Sequence, residues 1–96
     1  MGKKEIIDII RSIKPEMESH YGVQRLGLFG SYVRERQRKK SDIDILVAFN
    51  RDIDLFDFLD LREYLENRLH AKVDLVMESA LKPAIGRHIL AEVEYV

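Results

Sequence analysis

The chain of 96 residues carries 16 basic and 17 acidic side chains, a net charge of −1, and no cysteine. That length fits one small domain, residues 1–96, and leaves no room for two. The balanced charge argues against a general nucleic-acid coat protein, and the lack of thiols excludes disulfides and thiolate metal sites. Hydrophobic residues at 46% allow a real core, and charged ones at 34% imply a well-solvated surface. A domain this small is marginally stable, so a partner or a homo-oligomer would add to its stability. No apolar run approaches the roughly 18 residues of a membrane span. Met1 to Glu5 lacks the apolar core of a signal peptide. The expectation is a cytoplasmic protein with no membrane role.

Ile6, Ile10, Ile13 and Met17 recur every three or four positions and predict an amphipathic helix over about residues 3–20. Pro15 removes a backbone donor and disfavours helical geometry at Lys14, which predicts a kink or a break there. Gly22 is a reasonable stop, and Val23 to Phe29 follows as a first strand. Ser31 to about Arg36 reads as a short helix with Ser31 as its cap, and Arg36 to Lys40 as a charged loop. Asp42 to Phe49 predicts a second strand. Asp54 can cap the next helix, with Leu55, Phe58, Leu59, Leu65 and Leu69 along one face, and Ile53 and Phe58 stand at hydrophobic-staple spacing. Ala71 to Met77 predicts a third strand and Leu81 to about Glu92 a last helix. Pro83 is tolerable in its first turn, while Gly86 weakens it. Glu94-Tyr95-Val96 is either a frayed end or a short extra strand. The alternation predicts an α/β (α+β) domain, a small mixed sheet flanked by helices, with the first two strands close enough to pair antiparallel.

Two stretches carry chemistry. Gly30-Ser31-Tyr32-Val33-Arg34 closes the first apolar run, and Ser41-Asp42-Ile43-Asp44 opens the second. In a strand, positions i and i+2 share a face, so Asp42 and Asp44 aim at one site. Carboxylate oxygens suit magnesium or manganese, and two such ions about 4 Å apart can clamp a phosphoryl group. Two aspartates do not fill two metal shells. Asp74, an acid embedded in the apolar run Val73 to Val76, is the best third candidate. An isolated Asp-x-Asp is more often a turn followed by a solvent-facing residue; its pairing with the upstream turn is what makes it informative. Gly30 lets backbone approach a ligand closely, Ser31 adds a hydroxyl, and the free amides of a following helix favour phosphate. Arg34, one turn on, could pair with phosphate or with an aspartate of the site. The basic run from Arg36 to Lys40 would lie beside it. His20, His70 and His88 lack ligand spacing, and Lys82 and Arg87 have no demanded role.

These residues, Gly30 to Arg34 and then Ser41 to Val47, resemble the signature of the polymerase-beta-like nucleotidyltransferases. Within that superfamily the chain looks most like the minimal nucleotidyltransferases of archaea and bacteria, the MntA-like proteins. The likeness extends to Leu26-Gly27-Leu28-Phe29 and Val73-Asp74-Leu75-Val76. The resemblance implies the polymerase-beta-like palm fold. It implies that Gly30 and Ser31 contact the triphosphate of ATP, that Asp42 and Asp44 bind magnesium, and that Asp74 is the third metal-binding or activating carboxylate. It further implies an antitoxin paired with a HEPN-domain ribonuclease, silencing that toxin by transfer of AMP onto a tyrosine. Two departures stand out. Val33 and Glu35 flank Arg34 where the family often has alanine and glycine; if the loop keeps left-handed geometry at Glu35, the cost is on the order of 1 kcal/mol. No carboxy-terminal helical domain follows, so the acceptor is expected to be held by another chain.

The sequence thus predicts a magnesium-dependent nucleotidyltransferase using ATP, with two ions expected and manganese as an alternative. Its rival is an antitoxin that neutralises a HEPN toxin by masking it, with weak or no catalysis. A nucleic-acid polymerase fragment fits neither the length nor the charge.

Overall fold

The computed structural model describes residues 1–38 and 41–96. Helix α1 runs Lys3–Tyr21 and ends at Gly22, whose left-handed φ of 73° returns its N–H to the carbonyls of Met17 and Glu18. The predicted break at Pro15 does not occur. Arg11 and Pro15 are both exposed, so the carbonyl that loses its partner faces water, while Ile6, Ile10, Ile13 and Met17 stay buried on either side of the proline. Packing of that stripe outweighs the missing bond.

Strand β1 (Val23–Phe29) leads into a single 3-10 turn, Gly30–Tyr32, and β2 (Ile43–Phe49) follows. Helix α2 (Leu55–Leu69) is capped by Asp54, whose side chain accepts from the Asp57 N–H at 2.8 Å. Its buried stripe is Leu61, Leu65 and Leu69, with Phe58 half-buried, whereas Leu55 and Leu59 are exposed. The stripe expected from Leu55 onward is therefore corrected: full burial in α2 begins only at Leu61. Strand β3 (Val73–Met77), helix α3 (Pro83–Glu92) and strand β4 (Glu94–Tyr95) complete the chain, so the carboxy-terminal segment is a strand and not a frayed end.

The sheet has the order β3-β2-β1-β4 and is mixed: β2 pairs antiparallel with β1 and parallel with β3, and β4 pairs antiparallel with β1. Helices α1 and α2 pack on one face. Their buried stripes meet Leu26 and Leu28 of β1, Ile43, Ile45 and Val47 of β2, and Val73 and Leu75 of β3. Alternation puts the intervening residues on the other face. That second face holds buried Phe29, Leu46 and Ala48 together with Asp44 and Asp74. Strand β4 closes against β1 because Gly27 has no side chain: a Cβ there would stand 2.6 Å from Val93 Cγ2 and 3.1 Å from the Glu94 carbonyl oxygen. Lys3 binds Glu94 at 2.7 Å and Lys14 Nζ donates to the Val96 carbonyl, tying the last strand to α1. Among the described residues, no helix is long and apolar enough to cross a membrane.

Candidate active site

Pairing register brings the sequence-distant acids together. Asp44 is the second residue of β2 and stands in register with Asp74 of parallel β3, so the two carboxylates leave the same face of neighbouring strands. The strand starts are pinned there. Ile43 N–H donates to the Lys72 carbonyl at 2.9 Å, and Val73 N–H donates to Glu66 Oε2 at 3.0 Å. Asp42 lies just before β2 and is exposed. It lines an open hollow with Asp74, Arg62, Glu66 and Lys72. Asp44 is half-buried, Asp42 and Asp74 more open.

On the antiparallel side, Phe29 of β1 pairs with Asp44, and Gly30 comes next. Gly30 has φ of 77°, the left-handed region. Any Cβ at this position would overlap the Asp44 carboxylate, whose Cγ would lie 2.8 Å away. The turn and the acid are therefore in direct apposition, and only glycine fits. The helix expected over Ser31 to Arg36 is shorter than predicted. It spans Gly30–Tyr32, its N-cap is Phe29, and no side chain caps it, so Ser31 sits inside the turn, not at its start. Backbone bonds from Arg34 N to Gly30 O (3.1 Å) and from Arg36 N to Ser31 O (2.8 Å) continue the bend. Glu35 indeed adopts the left-handed φ of 54° that the loop demands. Of the basic run, Arg36 and Arg38 are exposed, and residues 39 and 40 lie outside the described residues. His20, His70 and His88 are all exposed.

Arg34 binds neither aspartate directly. Its Nη1 donates to Glu92 Oε2 at 3.0 Å, and the other oxygen of Glu92 accepts the Gly30 N–H at 3.1 Å. Sequence reasoning missed Glu92. The only signal was register: β4 pairs Leu28 with Glu94, and two further steps along the same pairing set Glu92 beside Gly30. Arg62 and Lys72, on the rim of the hollow with Asp42 and Asp74, were also missed. Lys72 is close to Asp74 in sequence, whereas Arg62 comes near only through α2 packing.

The electrostatics are those of an acidic cluster short of positive charge. Burial pushes the Asp44 carboxyl up to about 6. The charge of Asp74 and hydrogen bonding to it act in the same direction, as does the charge of Asp42, and only the Arg34 guanidinium opposes them. A divalent cation beside Asp44 and Asp74 would relieve this repulsion, and carboxylate oxygens are the hard-donor type that such cations take. Among the described residues, no three or more acids or histidines stand together as a group that could hold a metal ion, so Asp42, Asp44 and Asp74 are not gathered into one ligand set. A roomier hollow at the far end of the strands, between Arg25, Phe49, Arg51, Met77 and Glu78, contains none of the three aspartates.

Comparison with known proteins identifies the family and the fold. Residues 11–96 match the family model described as polymerase beta, nucleotidyltransferase. The chain is 46% identical over 93 residues to the protein adenylyltransferase MntA of Thermococcus cleftensis, covering 97% of this chain and 94% of that protein. A solved chain assigned to the minimal nucleotidyltransferases superposes with a TM-score of 0.83 at 31% identity, over 98% of this chain and 95% of the other. A toxin–antitoxin structure with AMP-PNP gives a TM-score of 0.72 at 26% identity, covering 99% of this chain and 72% of that one. A tri-AMPylated HEPN toxin in complex with MNT antitoxin, from Shewanella oneidensis, gives 0.62 at 25% identity, covering 97% and 66%.

Proposed function

Because this chain belongs to the polymerase beta nucleotidyltransferase family, we propose that it transfers AMP from ATP to a tyrosine hydroxyl of a HEPN-type toxin and acts as that toxin's antitoxin. The observation that carries this reading is the apposition of Gly30, with its side-chain-free left-handed turn, to Asp44, itself in register with Asp74. Adenylyl transfer needs a phosphate holder and an acidic cation holder side by side, and little covalent help from protein. The names of the relatives, an adenylyltransferase and antitoxins bound to HEPN toxins, support the same substrate and partner.

In this reading Asp42, Asp44 and Asp74 hold divalent magnesium, with manganese as a substitute. Bound there, the metal supplies Lewis acidity, neutralising phosphate charge and easing ionisation of the attacking hydroxyl. The Gly30 N–H, the Ser31 hydroxyl and Arg34 orient the triphosphate. The tyrosine oxygen forms a bond to the α-phosphorus, the bond to the β-phosphate bridging oxygen breaks, and pyrophosphate leaves. Asp74, the more open of the two paired strand acids, takes the phenolic proton. The partner chain must supply and position that tyrosine.

The test is label transfer from α-labelled ATP to the HEPN partner in magnesium. Asp42→Asn combined with Asp44→Asn is expected to lower it by at least about a hundredfold with the fold retained. Undiminished transfer refutes the metal assignment. Full neutralisation of the toxin by the inactive double variant would give the antitoxin effect to masking instead.

A further inference from the structure

The carboxylate of Glu92 is held as a bound anion would be. One oxygen accepts the Gly30 N–H at 3.1 Å and the other the Arg34 guanidinium at 3.0 Å. A backbone amide and a guanidinium converging on two oxygens of one group is also how a phosphate is gripped. These are the donors that the nucleotide reading assigns to the triphosphate. They cannot serve Glu92 and a phosphate together in the same geometry.

We infer that Glu92 is an internal competitor at this subsite: it fills the phosphate-holding donors in the nucleotide-free protein, and a phosphate of the nucleotide enters by displacing it. The inference rests on the nucleotide site proposed above. Three features make displacement cheap. The Arg34 and Glu92 side chains are 52% and 26% exposed, so their pair is screened by water. Glu92 is the last residue of α3, in which only Gly86 is buried, so little packing resists its movement. The pairing of β4 with β1 runs through Gly27 and Leu28 and does not depend on the Glu92 side chain. While nucleotide is absent, Glu92 holds the Arg34 guanidinium at the Gly30 turn, hydrogen-bonded to neither Asp44 nor Asp74. Once phosphate is bound, Glu92 must turn outward, because a carboxylate left beside the polyanion would repel it.

The experiment is calorimetric binding of AMP-PNP and of inorganic tripolyphosphate, each with magnesium, to the wild-type protein and to Glu92→Gln. The amide can still accept the Gly30 N–H, so the fold has its local bond. The variant is expected to bind both probes about three- to tenfold more tightly, a gain that a merely structural residue would not give. In the wild-type protein, the carbon-13 signal of the Glu92 carboxyl is expected to move as tripolyphosphate is added. This second reading needs no variant and decides the matter if Glu92→Gln does not fold. Equal or weaker binding of AMP-PNP by the variant, a gain confined to AMP-PNP, or an unmoved Glu92 signal at saturation overturns the competitor role and leaves the nucleotide site standing. Failure of both proteins to bind AMP-PNP overturns the nucleotide site and the competitor together.

Discussion

On the sheet face covered by α1 and α2, the inward residues of β1, β2 and β3 are apolar and buried, from Leu26 and Leu28 to Ile43, Ile45, Val47, Val73 and Leu75. On the opposite face, Asp44 and Asp74 stand beside Phe29 and Leu46, and among the described residues no helix packs over them as α1 and α2 do over the first face. The first face obeys the rule that buried strands are apolar. The second breaks it at two neighbouring positions, at an electrostatic cost visible in the raised Asp44 carboxyl. The division teaches that stability and chemistry are assigned to different sides of the same strands, so that changes on one side should leave the other largely intact.

The largest stability effect is expected on the helix-covered face. Leu65→Ala, at a fully buried position, should destabilise the protein by about 2–5 kcal/mol. Urea unfolding would measure it. Nucleotide binding by the fraction that stays folded should be unchanged, and a specific loss of affinity would break the division between faces.

Asp44→Asn should act in the opposite direction. A carboxyl at about 6 in the fold, against an ordinary 3.8, binds its proton more tightly when folded. Its contribution therefore favours the fold at low pH and is lost as pH rises from about 4 through 6. Removing the charge should raise stability at pH 7–8, by up to about 1 kcal/mol once discounted for the group's exposure. The gain should fade as the pH approaches 4. Thermal unfolding in metal-free buffer across this range checks it. A destabilised variant at pH 8 would mean that Asp44 is held by interactions worth more than its repulsion.

The smallest effect is expected at Glu35, whose φ of 54° strains an ordinary residue. Glu35→Gly should stabilise the chain by about 0.5–1 kcal/mol, again read from urea unfolding. No gain would mean that local contacts already offset the strain.

The two faces also differ in how far the sequence foretold them. Alternation located β1 to the residue and β2 within one; the i, i+2 rule predicted Asp42 and Asp44 on one side, but Asp42 stands just before β2 and only Asp44 lies in the strand. The choice of Asp74 followed from an acid in an apolar run, but its alignment with Asp44 needed the parallel register of β2 and β3, which no local pattern encodes. Pro15 misled because local propensity ignores the buried stripe that carries α1 through it. Leu55 and Leu59 misled because helical spacing does not say where cover ends, and in α2 the buried positions begin at Leu61. Glu92 stayed hidden for the same reason as the alignment of Asp74: its place beside Gly30 is a property of the pairing of β4 with β1, not of its neighbours in sequence.

In the proposed function, the acids of the second face gather a divalent cation opposite the Gly30 turn. Titrating manganese with AMP-PNP into nitrogen-15-labelled protein tests it most directly, through paramagnetic broadening of backbone amides. The Gly30, Ser31, Asp42, Asp44 and Asp74 signals are expected to be lost first, with the α1 amides from Ile6 to Met17 outlasting them. Broadening centred instead on the far hollow near Arg25, Met77 and Glu78, or on the acidic start of α2 near Asp54 and Asp57, would contradict that placement.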